Sequence, residues 1–192
     1  GSAVAHNGHQ SATIATPSPT AQAAVIERAW RAAGLHLGTA GYLETHGSGT
    51  QLGDAVEVEG LRLLQEKRDR ILPIGSVKTN VGHLDHAAGI TGMVKAILSV
   101  SYGELYPSLH FRRPPAAVDL AAAGVEVVTE LRRWREVGGQ PRRAGVSSFS
   151  LGGINAHCVL EQAPPLPPAT ATSATVAQLV GVSAHSRAAL AA

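Results

Sequence analysis

Cysteine occurs once in this sequence, at position 158, so neither an internal disulfide framework nor a multi-cysteine metal site can be built from it. A lone thiol fits a reducing compartment. Aromatic residues are scarce at 4%, which leaves the core to Ala, Val, Leu and Ile. Charged residues make up only 16% and the formal net charge is +2, too mild to argue for nucleic acid. The local exception is the cluster Arg132, Arg133, Arg135, Arg142 and Arg143. No stretch approaches about 18 uninterrupted apolar residues, and no charged-then-apolar leader opens the chain, so no membrane partner is expected. With 44% hydrophobic residues over 192 positions, the composition excludes a disordered or fibrous protein and fits one full core, or one domain and a tail. The expectation is a soluble, cytoplasmic protein.

What is present is organised around residues 72–96. The β-favouring run Leu72 to Val77 ends in Lys78, Thr79 and Asn80, a buried strand delivering polar groups at its C-terminal end. After a Val81-Gly82 turn, His83 and Asp85 open a small-residue helix over 84–101, whose apolar positions Ile90, Val94, Ile97 and Leu98 share one face. Lys78, Asn80 and His83 thus fall within one turn of each other, where open α/β sheets bind ligands. On this stretch alone, a solvated strand end and a helix-capping histidine explain the same residues equally well.

The rest of the chain supplies a frame. Residues 1–20, with Pro17 and Pro19, read as loop or edge strand, where His6 and His9 are solvated. Thr20 then caps a helix that Gly34 stops. A short strand over Ala40 to Thr45 ends in His46-Gly47-Ser48-Gly49-Thr50, whose glycines display His46 on a tight turn. Asp54 and Glu57 have capping-box spacing at the head of the next helix. Val125 to Thr129 reads as a strand. Arg142 to Phe149 and Ala156 to Glu161 form an antiparallel hairpin about a Gly-Gly turn. From Pro164 the composition becomes a Pro/Ala/Thr linker. His46, Lys78 and His83 each follow a strand–helix corner of one sheet, so they can converge on one pocket. Two neutral imidazoles offering N–H to one carbonyl oxygen would stabilise an enolate there.

Three motifs, THGSGTQLGDAVE, GSVKTNVGHLDHAAGITGMVK and AGVSSFSLGGINAHCVLEQAP, stand in this order and at these separations. Together they resemble the C-terminal half of the β-ketoacyl synthases of modular polyketide synthases, members of the thiolase-like condensing enzymes. The resemblance covers about residues 1–164. It implies an α/β fold, half of a thiolase-like α/β/α sandwich, with a five-stranded mixed sheet, helices on both faces and helix 84–101 as the buried one. It also implies a division into residues 1–163, the C-terminal half of a ketosynthase domain; 164–175, a linker; and 176–192, the start of the ketosynthase-to-acyltransferase linker region.

In that family a cysteine takes an acyl chain from an acyl carrier protein, and two histidines assist decarboxylation of a malonyl-type thioester and the carbon–carbon bond formation that follows. By motif, His46 and His83 match those histidines and Lys78 the lysine that supports them. Ser48, Thr50 and Asn80, with the glycine-rich loop of Phe149, Leu151, Gly152 and Gly153, match substrate-binding positions. No bound cofactor or metal is implied; substrates arrive on the phosphopantetheine of the carrier protein. The nucleophile's own motif is absent from these residues, and Cys158, in the final strand, reads as a buried structural thiol. The expected partners are therefore an N-terminal ketosynthase half, on the same or a separate chain, the acyl carrier protein, and a second copy of the completed domain. Ser150-Leu151 stand where the family more often has Gly-Phe. That departure supports an alternative, a non-condensing module that docks or passes acyl carriers. A zinc hydrolase using His83 and His86 lacks a third ligand at suitable spacing.

Overall fold

The structure is a computed structural model that describes residues 1–8, 11, 13, 16–134, 138–164 and 186. His9, Arg135 and nearly all of the 164–175 and 176–192 segments lie outside the described residues. In chain order the elements are β1 (Ser2–His6), α1 (Pro19–Ala32), β2 (Tyr42–Glu44), α2 (Gln51–Arg62), β3 (Leu72–Gly75), α3 (Lys78–Val81) and α4 (Ala88–Tyr102). There follow β4 (Glu104–Leu105), β5 (Val125–Val127), β6 (Arg132–Arg133), β7 (Arg143–Phe149) and β8 (Ile154–Glu161). The main sheet runs β1-β8-β7-β2-β3-β5, and β4 with β6 makes a separate antiparallel pair. β7, β2, β3 and β5 are parallel neighbours, whereas β1, β8 and β7 pair antiparallel, so the sheet is mixed. It has six strands and not five. The sixth, β1, is one of the two edge strands and falls in the stretch read as loop or edge strand; Val4 is its one large apolar residue, so its local signal is weak.

α1 and α2 cover one face and α4 the other, giving three layers. Val25, Ile26, Ala29 and Trp30 of α1 meet Leu43, Leu72, Ile74 and Val159 in one core; Tyr42, Ala96, Val100, Ala144 and Val146 fill the second, under α4. β2, covered on both faces, is fully buried, as parallel strands in such layers are. α1 is capped by Ser18 and not by Thr20, which lies in its first turn. The Ser18 hydroxyl accepts the Ala21 N–H, and Pro19 fits the first helical position, where it has no N–H to lose.

α4 turns its small-residue face, and not its Ile, Val and Leu face, to the sheet. Ile90, Val94, Ile97 and Leu98 are 42–58% exposed, and the helix instead buries Ala88, Gly92, Lys95, Ala96, Ser99 and Val100 against the sheet. The small residues decide this: a Cβ at Gly92 would stand 3.1 Å from Glu44 Cγ, so the helix seats its narrow face and leaves its wide apolar face uncovered.

A buried histidine locks β8 to α1. The Trp30 indole N–H donates to Nε2 of fully buried His157 at 3.2 Å, so Nδ1 carries the proton and donates to Ser147 Oγ at 3.0 Å. Gly145 makes room, since a Cβ there would fall 2.7 Å from Nε2. Burial pulls the His157 pKa down from 6.5 to about 3. The unfolded chain therefore takes up a proton near pH 6.5 that the fold refuses until about pH 3, and stability falls over that window by about 1.4 kcal/mol per pH unit. The unfolding midpoint should drop across this range, and His157→Gln should remove that part of the slope; an unchanged slope in the variant would count against the assignment.

Candidate active site

Two strand ends build the site. After β2 the chain turns through Thr45 to Thr50, with Gly47 at φ +43° and Gly49 at φ +76°. A side chain at Gly47 would strike Ser76 Cβ at 2.7 Å, so only glycine lets this turn lie against the neighbouring corner. Glu57 is not part of a capping box. Thr50 is the residue that caps α2, accepting the Gly53 N–H, while the Glu57 carboxylate reaches back to accept the N–H groups of His46 and Gly47, both at 2.8 Å. Asp54 likewise accepts the Gly49 N–H at 3.1 Å. Burial raises the Glu57 pKa to about 7, opposed by the two N–H bonds.

The second corner follows β3. Lys78 heads α3 instead of ending a strand, and Gly82, at φ +76°, turns the chain so that His83 meets His46. The two imidazole centroids are 5.4 Å apart with planes at 80°, and the Phe149 ring stands 5.8 Å from His46. Each ring is held through the same atom: His83 Nδ1 accepts the Asp85 N–H at 3.0 Å, and His46 Nδ1 accepts the Phe149 N–H at 3.4 Å. In the neutral form both therefore carry their proton on Nε2. Burial, helped by the charges of Lys78 and His83, pulls the His46 pKa down from 6.5 to about 4, so His46 is neutral at pH 7. Lys78 is half-buried; burial lowers its pKa and the carboxylates of Glu57, Glu44 and Asp54 raise it.

Of the residues named from the sequence, His46, His83 and Phe149 come together directly and Lys78 acts on His46 through its charge. Ser48 and Thr50 share a hydroxyl contact at 3.1 Å in the turn before α2, and Asn80 is exposed on α3. Leu151, Gly152 and Gly153 form the tip of the β7–β8 hairpin, where Leu151 is 82% exposed and the Gly152 carbonyl is held by His6 at 2.8 Å. Ser150 tightens this tip by accepting the Ile154 N–H. Cys158 is half-buried on β8. The four described members of the Arg cluster have partners within the chain: Arg132 pairs with Glu126, Arg133 with Glu104, Arg143 with Glu161, and Arg142 donates to the Val100 carbonyl. A cavity of about 260 Å³ lies behind the His46 turn, lined by Gly47, Glu57, Ser76, Thr79, Leu109 and Phe111 among others. Neither imidazole lines it.

Sequence reasoning missed Glu44, Glu57 and Lys95 as parts of the site's support. A carboxylate ending the buried strand Tyr42-Leu43-Glu44 and a lysine on the small-residue face of α4 were the available signals.

A family model described as the β-ketoacyl synthase C-terminal domain matches residues 1–112, and one described as the ketoacyl-synthetase C-terminal extension matches 114–192. Among curated proteins, erythronolide synthase EryA3 of Saccharopolyspora erythraea is 44% identical over 85% of this chain, and polyketide synthase PksN of Bacillus subtilis 40% over 84%. The chain spans only 5% and 3% of their lengths. The ketosynthase from module 6 of the bacillaene synthase of Bacillus subtilis superposes with a TM-score of 0.80 at 38% identity, covering 86% of this chain and 30% of that one. An oxazolomycin ketosynthase domain of Streptomyces albus gives 0.80 at 39% identity, over 86% and 30%. With the two-histidine corner and the mixed three-layer sheet, these matches show that the chain belongs to the β-ketoacyl synthase family, as the C-terminal half of a modular polyketide synthase ketosynthase.

Proposed function

We propose that this chain supplies the two-histidine half of a condensing site that joins an acyl chain to a malonyl-type thioester, both presented on the phosphopantetheine of an acyl carrier protein. The observation that carries this reading is the pair of imidazoles 5.4 Å apart, each with Nδ1 occupied by a backbone N–H and Nε2 left as the donor. When the malonyl carboxylate leaves as carbon dioxide, its bonding electrons pass onto the thioester carbonyl as an enolate. Two Nε2–H groups aimed at that oxygen stabilise the charge as it develops, and a buried, neutral His46 serves this better than an imidazolium that would have to be desolvated. The enolate carbon then attacks the acyl thioester held on a cysteine of the N-terminal half, and the cysteine thiolate leaves. Lys78 adds positive potential beside His46. Ser48, Thr50, Asn80 and the 149–153 hairpin line the approach of the pantetheine arm.

The N-terminal half would cover the exposed face of α4, and the completed domain would pair with a second copy. Residues 1–163 would form the domain half, 164–175 a linker, and 176–192 the start of the connection toward an acyltransferase. A second reading, a domain that passes acyl chains without extending them, draws on the Ser150-pinned hairpin tip. Supplying the completed domain with an acyl carrier and a malonyl carrier separates the two. The condensing reading expects a β-ketoacyl product with stoichiometric carbon dioxide; acyl transfer with neither would replace it with the second.

A further inference from the structure

Glu44, at the end of β2, is 1% exposed. One of its oxygens, Oε2, accepts the Tyr42 hydroxyl proton at 2.6 Å and lies 3.1 Å from Lys95 Nζ; the other, Oε1, accepts the Val77 N–H at 2.5 Å. Lys95 is buried with Glu44 and forms an ion pair with it. Two glycines leave room for the cluster. A Cβ at Gly92 would stand 3.1 Å from Glu44 Cγ, and one at Gly75 would stand 2.8 Å from the Tyr42 hydroxyl and 3.2 Å from Lys95 Nζ. Packing alone is a poor reason for a buried carboxylate and ammonium, because well-packed apolar residues of similar volume are often as stable or more so.

Position does explain them. Glu44 precedes His46 by two residues, and Val77 directly precedes Lys78, the first residue of α3, which leads through Gly82 to His83. The Val77 N–H is among those at the start of α3 that no helical carbonyl can satisfy. We propose that Glu44 is a positioning residue: its carboxylate, charge-balanced by Lys95, ties the strand end that carries His46 to the corner that carries Lys78 and His83, and so sets the spacing of the two imidazoles. This rests on the two-imidazole reading above. Glu57 braces the His46 turn from one side and Glu44 links it to the opposite corner, so each imidazole is carried on backbone held by a buried carboxylate.

The test reads carbon dioxide release from a malonyl carrier by the complete ketosynthase domain. Glu44→Leu with Lys95→Met fills the same space without an acceptor and should lower kcat about 30-fold with KM and melting temperature little changed. Glu44→Gln with Lys95→Met restores an oxygen acceptor for Val77 and should recover about tenfold of that loss. Val77→Pro removes the donor instead, at a φ of −64° that proline adopts, and should match the Leu pair. Parental kcat in the Leu pair, or equal losses in the Leu and Gln pairs, overturns the proposal. If the Leu pair does not fold, Val77→Pro decides, and parental kcat there overturns it. His46→Ala is run alongside: parental decarboxylation in that variant rejects the two-imidazole reading itself, whereas its loss beside an unaffected Leu pair and Val77→Pro rejects only the role of Glu44.

Discussion

Replacing either imidazole should lower malonyl decarboxylation by about 10²- to 10³-fold, the cost of removing one oriented donor from a developing oxyanion. In His46→Ala and His83→Ala, transfer of an acyl chain from its carrier to the cysteine should persist, because no enolate forms in that step. The two effects are separable by following carbon dioxide and the acyl-enzyme independently. The pH dependence gives a second signature. His46 stays neutral down to about pH 4, so its contribution holds as the pH falls from 7 to 5 and is lost only when a proton on Nδ1 displaces the Phe149 N–H. Both variants decarboxylating at the parental rate would remove the proposed roles, whatever the ring geometry.

The second large effect concerns solubility. Between Val81 and Tyr102, seven large apolar side chains are 42–65% exposed: Val81, Leu84, Ile90, Val94, Ile97, Leu98 and Tyr102. Contiguous apolar patches beyond a few hundred Å² are rare on soluble monomers and mark interaction surfaces. The chain produced by itself should therefore aggregate. Changing Ile90, Val94 and Ile97 together to Gln should give soluble protein without disturbing the sheet, since those side chains face away from it. The same triple change in the complete domain should block association of its halves. A monodisperse monomer of the unaltered chain, seen by light scattering, would contradict the assignment of this face to a partner.

How much of this could be read from residue order depended on the distance over which each signal acts. The strands 42–44 and 72–75 and the β7–β8 hairpin announce themselves through short apolar runs and glycine turns, which are local properties. The corners bearing His46 and His83 were legible for the same reason, and the resemblance of three motifs tied them together. Residue order left the orientation of α4 open between two faces. Its Ile, Val and Leu positions have helical spacing, but so do Gly92, Lys95, Ala96 and Ser99, and only the shape of the sheet beneath selects between the two faces. Glu57 carried a misleading local signal, three residues after Asp54 in capping-box spacing, while its actual partners lie ten and eleven residues earlier. Glu44 and Lys95 are 51 positions apart in sequence, beyond the reach of any periodicity argument.

The pairing of β1 with β8 has a consequence for how this unit is connected. Ser2 lies opposite Cys158 and His6 opposite Ile154, so the polypeptide enters the sheet through one border strand and departs through its neighbour, at the end remote from the imidazoles. A substitution confined to the Ser2–Cys158 end of the sheet should therefore leave the spacing of the two imidazoles unchanged.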